Sequence, residues 1–196
     1  MHSKRNTLIW IAVATALALP LALAVNSPLL QWRDPVYITA GIAGVIAMSL
    51  LFLQPLLASG YLPGVNRLRS KQLHHIIGST LVLMIVVHVA GLWITSPPDV
   101  IDALLFRSAT PFSLWGVIAM WAVFSTASLA AIRKSARIKP HIWKVAHKIL
   151  AAIIVIGSVI HAILIDGTME SFSKYALCIF LSGVTFMTIV KMGVKK

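Results

Sequence analysis

Four histidines recur at one spacing in two apolar segments of the sequence. His74 and His88 are 14 residues apart, and so are His147 and His161. In an α-helix of about 3.6 residues per turn, 14 residues end within roughly 40° of four full circles and rise roughly 21 Å. The members of each pair therefore project from nearly the same helix face, at two well-separated levels.

Imidazoles at two matched levels are typical of haem ligation. If the two helices run parallel and lie side by side, His74 faces His147 at one level, and His88 faces His161 at the other. Imidazole suits iron, and two imidazoles fill both axial positions of a haem. Such an iron has no free position for substrate. The pattern predicts two electron-carrying b-type haems, with His74 and His147 (the inner pair) and His88 and His161 (the outer pair) as cofactor-binding iron ligands.

The other histidines fit this pattern less well. His75 competes with His74, but 13 residues from His88 leave it about 140° off the shared face of a regular helix, so it needs a local bulge. His141 lies in a basic connection and is predicted to be a surface or interface residue. His2 carries no site signal. Structural hydrogen bonding between helices is the alternative for the four, although polar side chains inside a membrane usually serve a function.

Small and basic residues lie near the four histidines. Gly78 follows His74 by one turn and Gly157 precedes His161 by one turn, so either would let a flat macrocycle approach, although ordinary helix packing also explains glycine there. Five basic residues flank the inner pair, either to bind haem propionates or as membrane-surface charge. These are Arg67, Arg69, Lys71, Lys144 and Lys148.

The elements that carry the histidines are predicted to be membrane spans. Of the 196 residues 59% are hydrophobic and 11% are charged, against about a quarter charged in soluble domains. A span needs roughly 20 apolar residues. Six stretches approach this length, which predicts an all-α six-helix bundle forming one membrane domain over residues 1–196. They are Leu8–Val25, Val36–Ser59, Leu73–Thr95, Phe112–Ile132, His147–Ile165 and Tyr175–Val190.

The charges predict the orientation of the bundle. With a cytoplasmic N-terminus, 14 of the 17 lysines and arginines fall inside and 3 outside, namely Arg33, Arg107 and Lys174. Excess positive charge marks the cytoplasmic side, so both termini are predicted to lie inside a plasma (inner) membrane. The net charge of +12 then reflects topology and contact with anionic lipid, not nucleic acid. The inside residues are Lys4, Arg5, Arg67, Arg69, Lys71, Arg133, Lys134, Arg137, Lys139, Lys144, Lys148, Lys191, Lys195 and Lys196.

Two further features of the sequence limit the class of protein to which the chain can belong. Cys178 is the only cysteine, which excludes an intrachain disulfide framework and a cysteine-ligated iron–sulfur cluster. The basic start, apolar run and Ala22-Leu23-Ala24 triplet also fit a cleaved signal peptide. The apolar run is long for a signal core, so we expect a retained first span.

Two stretches resemble the ferric reductase-like transmembrane domain superfamily, which includes NADPH oxidases and eukaryotic ferric reductases. They are His74-His75-Ile76-Ile77-Gly78, leading to His88, and Ile142-Trp143-Lys144-Val145-Ala146-His147, leading to His161. The starts of spans two and four, Asp34-Pro35 and Thr110-Pro111, look like the membrane subunit of the bacterial methionine sulfoxide reductase system. The likeness covers spans two to six. It implies haems held by the inner and outer pairs.

This resemblance also bears on haem number and partners. The bacterial subunit lacks a histidine at the inner position of span three, whereas His74 occupies it here, as in the two-haem oxidases. A single haem on His88 and His161 remains the alternative. Larger relatives carry flavin and nicotinamide domains after the last span, and this chain ends at Lys196. We therefore expect a separate cytoplasmic flavoprotein, or quinol, as electron donor.

The predicted function is transmembrane electron transfer to ferric iron, oxygen or an extracytoplasmic redox partner, with the chain as an oxidoreductase component. One alternative is a quinone-coupled cytochrome b subunit of a dehydrogenase complex. Another is a single-haem subunit of a methionine sulfoxide reductase system. A transporter or haem-handling protein fits less well, because no acid lies inside a predicted span to carry protons or cations.

Overall fold

The computed structural model describes residues 2–194, and side chains for residues 4–191. The predicted inside charges Lys195 and Lys196 and the side chain of His2 lie outside the described residues. The described chain is helical, with one short 3-10 turn at Pro28–Leu30. Its helices are α1 (His2–Val25), α2 (Pro35–Ser59), α3 (Arg67–Thr95), α4 (Pro97–Leu104), α5 (Pro111–Ile132), α6 (Pro140–Leu164) and α7 (Ser171–Val194).

Six of these helices are long and apolar enough to cross a membrane, which confirms the predicted number of spans. They are α1, α2, α3, α5, α6 and α7. Many large apolar side chains face outward from them, including Leu8, Leu83, Ile156 and Phe186. A soluble monomer rarely exposes so much contiguous apolar surface. The protein is therefore a multi-pass membrane protein.

Local sequence signals set the helix ends. Asp34 Oδ1 accepts a hydrogen bond from the Val36 N–H at 2.7 Å, and Pro35 occupies the first turn of α2. Such a cap satisfies an amide that has no partner inside the helix. Gly60 ends α2 with a φ of 68°, a left-handed conformation that glycine adopts without a Cβ clash.

Several helices extend beyond the predicted spans, including the two that carry the four histidines. The third span was predicted to begin at Leu73, but α3 begins at Arg67, where Asn66 Oδ1 accepts from the Arg69 N–H at 2.8 Å. The fifth was predicted to begin at His147, but α6 begins at Pro140. Hydropathy locates only the apolar part of a helix, whereas caps and proline decide where the backbone enters it. The short helix α4 lies between the predicted third and fourth spans, where no span was predicted.

The spans form a ring around the centre of the protein. Each helix of the ring contacts its neighbour in the order α2, α3, α5, α6, α7, and α7 closes the ring against α2. The closure includes a hydrogen bond from the Thr188 hydroxyl to the Pro55 carbonyl at 3.3 Å. Helix α1 packs outside, against α2 and α7. This arrangement places α3 and α6, which carry the four histidines, on opposite sides of the ring.

Candidate functional site

A cavity of about 480 Å³ occupies one end of the ring. His88 on α3 and His161 on α6 both line it, together with apolar side chains such as Leu81, Val123 and Ile154. Pockets of about 300–1,000 Å³ that are mostly apolar and contain few polar groups are typical of cofactor and ligand sites. The outer pair therefore borders a space large enough for a bound group.

The outer pair is held in one tautomer by the backbone. His88 Nδ1 lies 2.7 Å from the Ala40 carbonyl of α2, and His161 Nδ1 lies 2.8 Å from the Phe112 carbonyl of α5. Because a carbonyl oxygen only accepts, each Nδ1 must donate the proton. Nε2 of each ring then keeps its lone pair. A metal-ligating histidine commonly has this second hydrogen bond, which orients the ring.

A glycine makes room for each ring of the outer pair. Gly44, one turn after Ala40, would place a Cβ 3.0 Å from His88 Nδ1. Gly116, one turn after Phe112, would place a Cβ 2.7 Å from His161 Nδ1. The α2–α3 and α5–α6 pairs thus repeat one device: a carbonyl that holds the imidazole and a glycine that admits it.

The inner pair meets at the other level of the ring. The ring centroids of His74 and His147 are 6.1 Å apart. The Trp143 indole stacks on His147 at 5.0 Å, and the Arg133 guanidinium lies 5.1 Å from the Trp143 centroid. His75 is exposed, which favours His74 over His75 as the inner partner of His147. The structure thus places His74 against His147, and it places His88 and His161 on the wall of one cavity.

Unlike the outer pair, the inner pair has no backbone carbonyl hydrogen-bonded to Nδ1. The Nδ1 atoms of His74 and His147 are buried without a hydrogen-bond partner, as is Nε2 of Gln54. The Gln54 carbonyl lies near the His74 ring but outside hydrogen-bond geometry. Buried polar atoms are normally paired. The inner level therefore retains unused polar groups on the side chains predicted to bind a cofactor.

Two expectations about packing were wrong in detail. Helices α3 and α6 do not lie side by side, since each packs mainly on the span before it, α2 and α5 respectively. Gly157 does not open a space for a macrocycle, because a Cβ there would lie 3.0 Å from the Trp115 carbonyl and 3.1 Å from Ala119 Cβ of α5. Close approach of two helix backbones explains this glycine.

A family model described as ferric reductase like transmembrane component matches residues 40–158. The chain belongs to this family. Membership in the ferric reductase family indicates a role in transmembrane electron transfer. The matched region includes His74, His88 and His147 and ends three residues before His161. Comparisons with curated proteins and with solved structures gave no match.

Two features near the outer end were not predicted from the sequence. Lys174, assigned to an outside loop, lies in the first turn of α7 and is only 3% exposed. Glu170 caps the same helix: its carboxylate accepts from the Phe172 N–H at 2.7 Å and the Ser173 N–H at 2.8 Å. The bonds from Ser173 and Phe172 hold the pKa of Glu170 below its ordinary value. The signal for this cap in the sequence is Glu170, which lies three residues before Ser173 in a polar connection.

Proposed function

We propose that the protein carries electrons across the plasma membrane through two b-type haems. In each site one iron ligand comes from α3 and the other from α6. The observation that carries the proposal is the outer pair, two histidines from opposite helices that line one cavity with Nδ1 committed to a carbonyl. The tautomer leaves Nε2 of both rings able to ligate iron.

The ligand set favours a macrocycle over a bare metal ion. Among the described residues, no group of three or more histidine, cysteine, aspartate or glutamate side chains could hold a metal. A bare transition metal in a protein usually takes three or four protein ligands. Two imidazoles suffice when a porphyrin supplies the other positions. When bound, the haems would supply one-electron carriers, held by the inner and outer pairs.

The chain's own residues would orient the ligands and keep water away. The carbonyls of Ala40 and Phe112 hold the outer imidazoles, and stacking on Trp143 holds His147. Apolar residues of α2, α3, α5 and α6 wall the cavity. An apolar shell limits solvent access, which tunes the potential of a bound redox group.

The direction of transfer is proposed from the charge distribution. The basic residues around the inner pair mark the cytoplasmic side by the positive-inside rule. Electrons would enter there, from a flavoprotein or quinol, and leave at the outer pair to ferric iron, oxygen or an extracytoplasmic redox protein. The stack of Arg133, Trp143 and His147 offers a contact point between the basic surface and the inner pair.

Haem content measured by the pyridine haemochrome assay tests the proposal. We expect about two haems per chain in the purified protein, and about one in His74→Ala or in His161→Ala. His75→Ala and His141→Ala, which change exposed histidines, are the controls and should keep both haems. A correctly folded protein that binds no haem after reconstitution would refute the proposal, and one haem unaffected by His74→Ala would support the single-haem alternative.

A further inference from the structure

Lys174 is the one charged side chain that is buried among the described residues. Its ammonium donates to the Ile165 carbonyl at 3.0 Å and lies 5.5 Å from the Tyr175 ring centroid. The Glu170 carboxylate, one turn before it, interacts electrostatically with Lys174, but no carboxylate of the described residues lies within ion-pair distance of the ammonium. An ammonium has three donors, so two are unused. A buried charge without a counter-ion in direct contact is costly.

The same lysine lines the cavity between His88 and His161. Polar groups gather along this outer part of the wall. The hydroxyls of Ser108, Thr110 and Ser113 bond to one another at 2.5–3.2 Å. Asp99 also lines the cavity, but it is exposed and bonds to the Ser96 hydroxyl. Asp99 is therefore exposed to solvent at the surface, whereas Lys174 is buried.

We propose that Lys174 is the anion-binding residue of this cavity and that its ligand is a carboxylate. A carboxylate oxygen would take the unused donors and neutralise the buried charge in a short, charge-assisted hydrogen bond. The inference rests on the proposed function, because a haem on His88 and His161 carries propionates into the same cavity. A free organic acid, such as the carboxylate of a ferric chelate, offers the same chemistry.

Haem loss from the outer pair is the first test. In a His74→Ala background, which leaves only the outer pair complete, excess apomyoglobin would extract haem while the Soret band is followed. Removal of one charge-assisted bond by Lys174→Met should speed this loss about tenfold. Lys174→Arg should restore slow loss. The control is Lys191→Met, another α7 lysine, whose Nζ donates to the Ser59 carbonyl at 3.2 Å and which does not line the cavity.

Reconstitution with haem dimethyl ester separates the two carboxylate sources. If Lys174 binds a propionate, the protein that retains Lys174 should lose esterified haem as fast as the Lys174→Met variant does. The substitution should then have no further effect on the rate of haem loss. If the ligand is a free acid, haem loss should not respond, but citrate should raise the Tm of the Lys174 protein and not that of Lys174→Met.

Absence of both responses would overturn the assignment of Lys174. A different result would contradict the proposed function, namely that neither the unmodified chain nor any variant retains haem. In that case the citrate-dependent Tm of the haem-free protein still decides whether Lys174 binds a carboxylate.

Discussion

Hydrogen bonds from Nδ1 to backbone carbonyls distinguish the outer histidines from the inner ones. His88 and His161 have such acceptors, whereas His74 and His147 have none. The spacing of 14 residues predicts that His74 lies near His147 and that His88 and His161 share a level, as the structure places them. It could not reveal the acceptors, because every residue has a carbonyl and only the approach of α2 and α5 selects Ala40 and Phe112. The fold thus orients the imidazoles of the outer pair.

Substitution of the glycine beside each outer imidazole tests whether the position of the imidazole matters for haem binding. In Gly116→Ala the new Cβ would lie 2.7 Å from His161 Nδ1, so the ring must move away from the Phe112 carbonyl. Alanine otherwise favours a helix by about 1 kcal/mol over glycine. A loss of haem would therefore come from displacement of the His161 imidazole and not from a weaker helix. We expect haem content to fall by about one per chain in the pyridine haemochrome assay.

Substitutions at two other glycines serve as comparisons for Gly116→Ala. Gly44→Ala, with a contact of 3.0 Å to His88 Nδ1, should show the same loss in weaker form. Gly183→Ala on α7 has nothing within 4 Å of its new Cβ and should keep full haem content. Equal haem content in all three variants would show that the fit of the outer rings is not tight enough to matter.

Helix ends position the polar residues of the outer site. Hydropathy predicted the apolar centre of each span, but it could not place Lys174, which lies in the first turn of α7. Glu170 caps that turn by accepting from the Phe172 and Ser173 N–H groups. The cap depends on charge. Since the pKa of Glu170 is lowered in the folded protein, the cap contributes fully above the unfolded pKa and is lost as the pH falls through the folded pKa.

Thermal melts of Glu170→Ala across pH test this dependence. At neutral pH the variant should melt a few degrees below the unmodified protein, because two backbone amides of α7 lose their acceptor. The difference should shrink as the pH falls below 4.5, the ordinary value for glutamate. Asp166→Ala, which removes an exposed acid of the same connection, is the matched control. A difference in Tm that is independent of pH would contradict the electrostatic role of the cap.

The ring of five spans is a property of the whole molecule that sequence patterns could not supply. Short connections predict that consecutive spans are neighbours, as α2 is to α3 and α5 is to α6. The closing contact between α2 and α7 joins residues more than 130 positions apart, such as Thr188 and Pro55. Without that closure, the relation of α3 to α6 across a central cavity could not be predicted, although their shared histidine spacing was visible.

The orientation of the ring in the membrane follows from its charges and is open to direct labelling. The only native cysteine, Cys178, is buried, so the unmodified chain should react little with a membrane-impermeant maleimide. Ala109→Cys, between α4 and α5, should react on intact cells. Ser135→Cys, between α5 and α6, should react only after lysis, because its connection carries four of the inside charges, Arg133, Lys134, Arg137 and Lys139. The reverse labelling would invert the proposed donor and acceptor sides. It would leave the proposed haem ligands unchanged, since the positions of the four histidines in the helix ring do not depend on its orientation in the membrane.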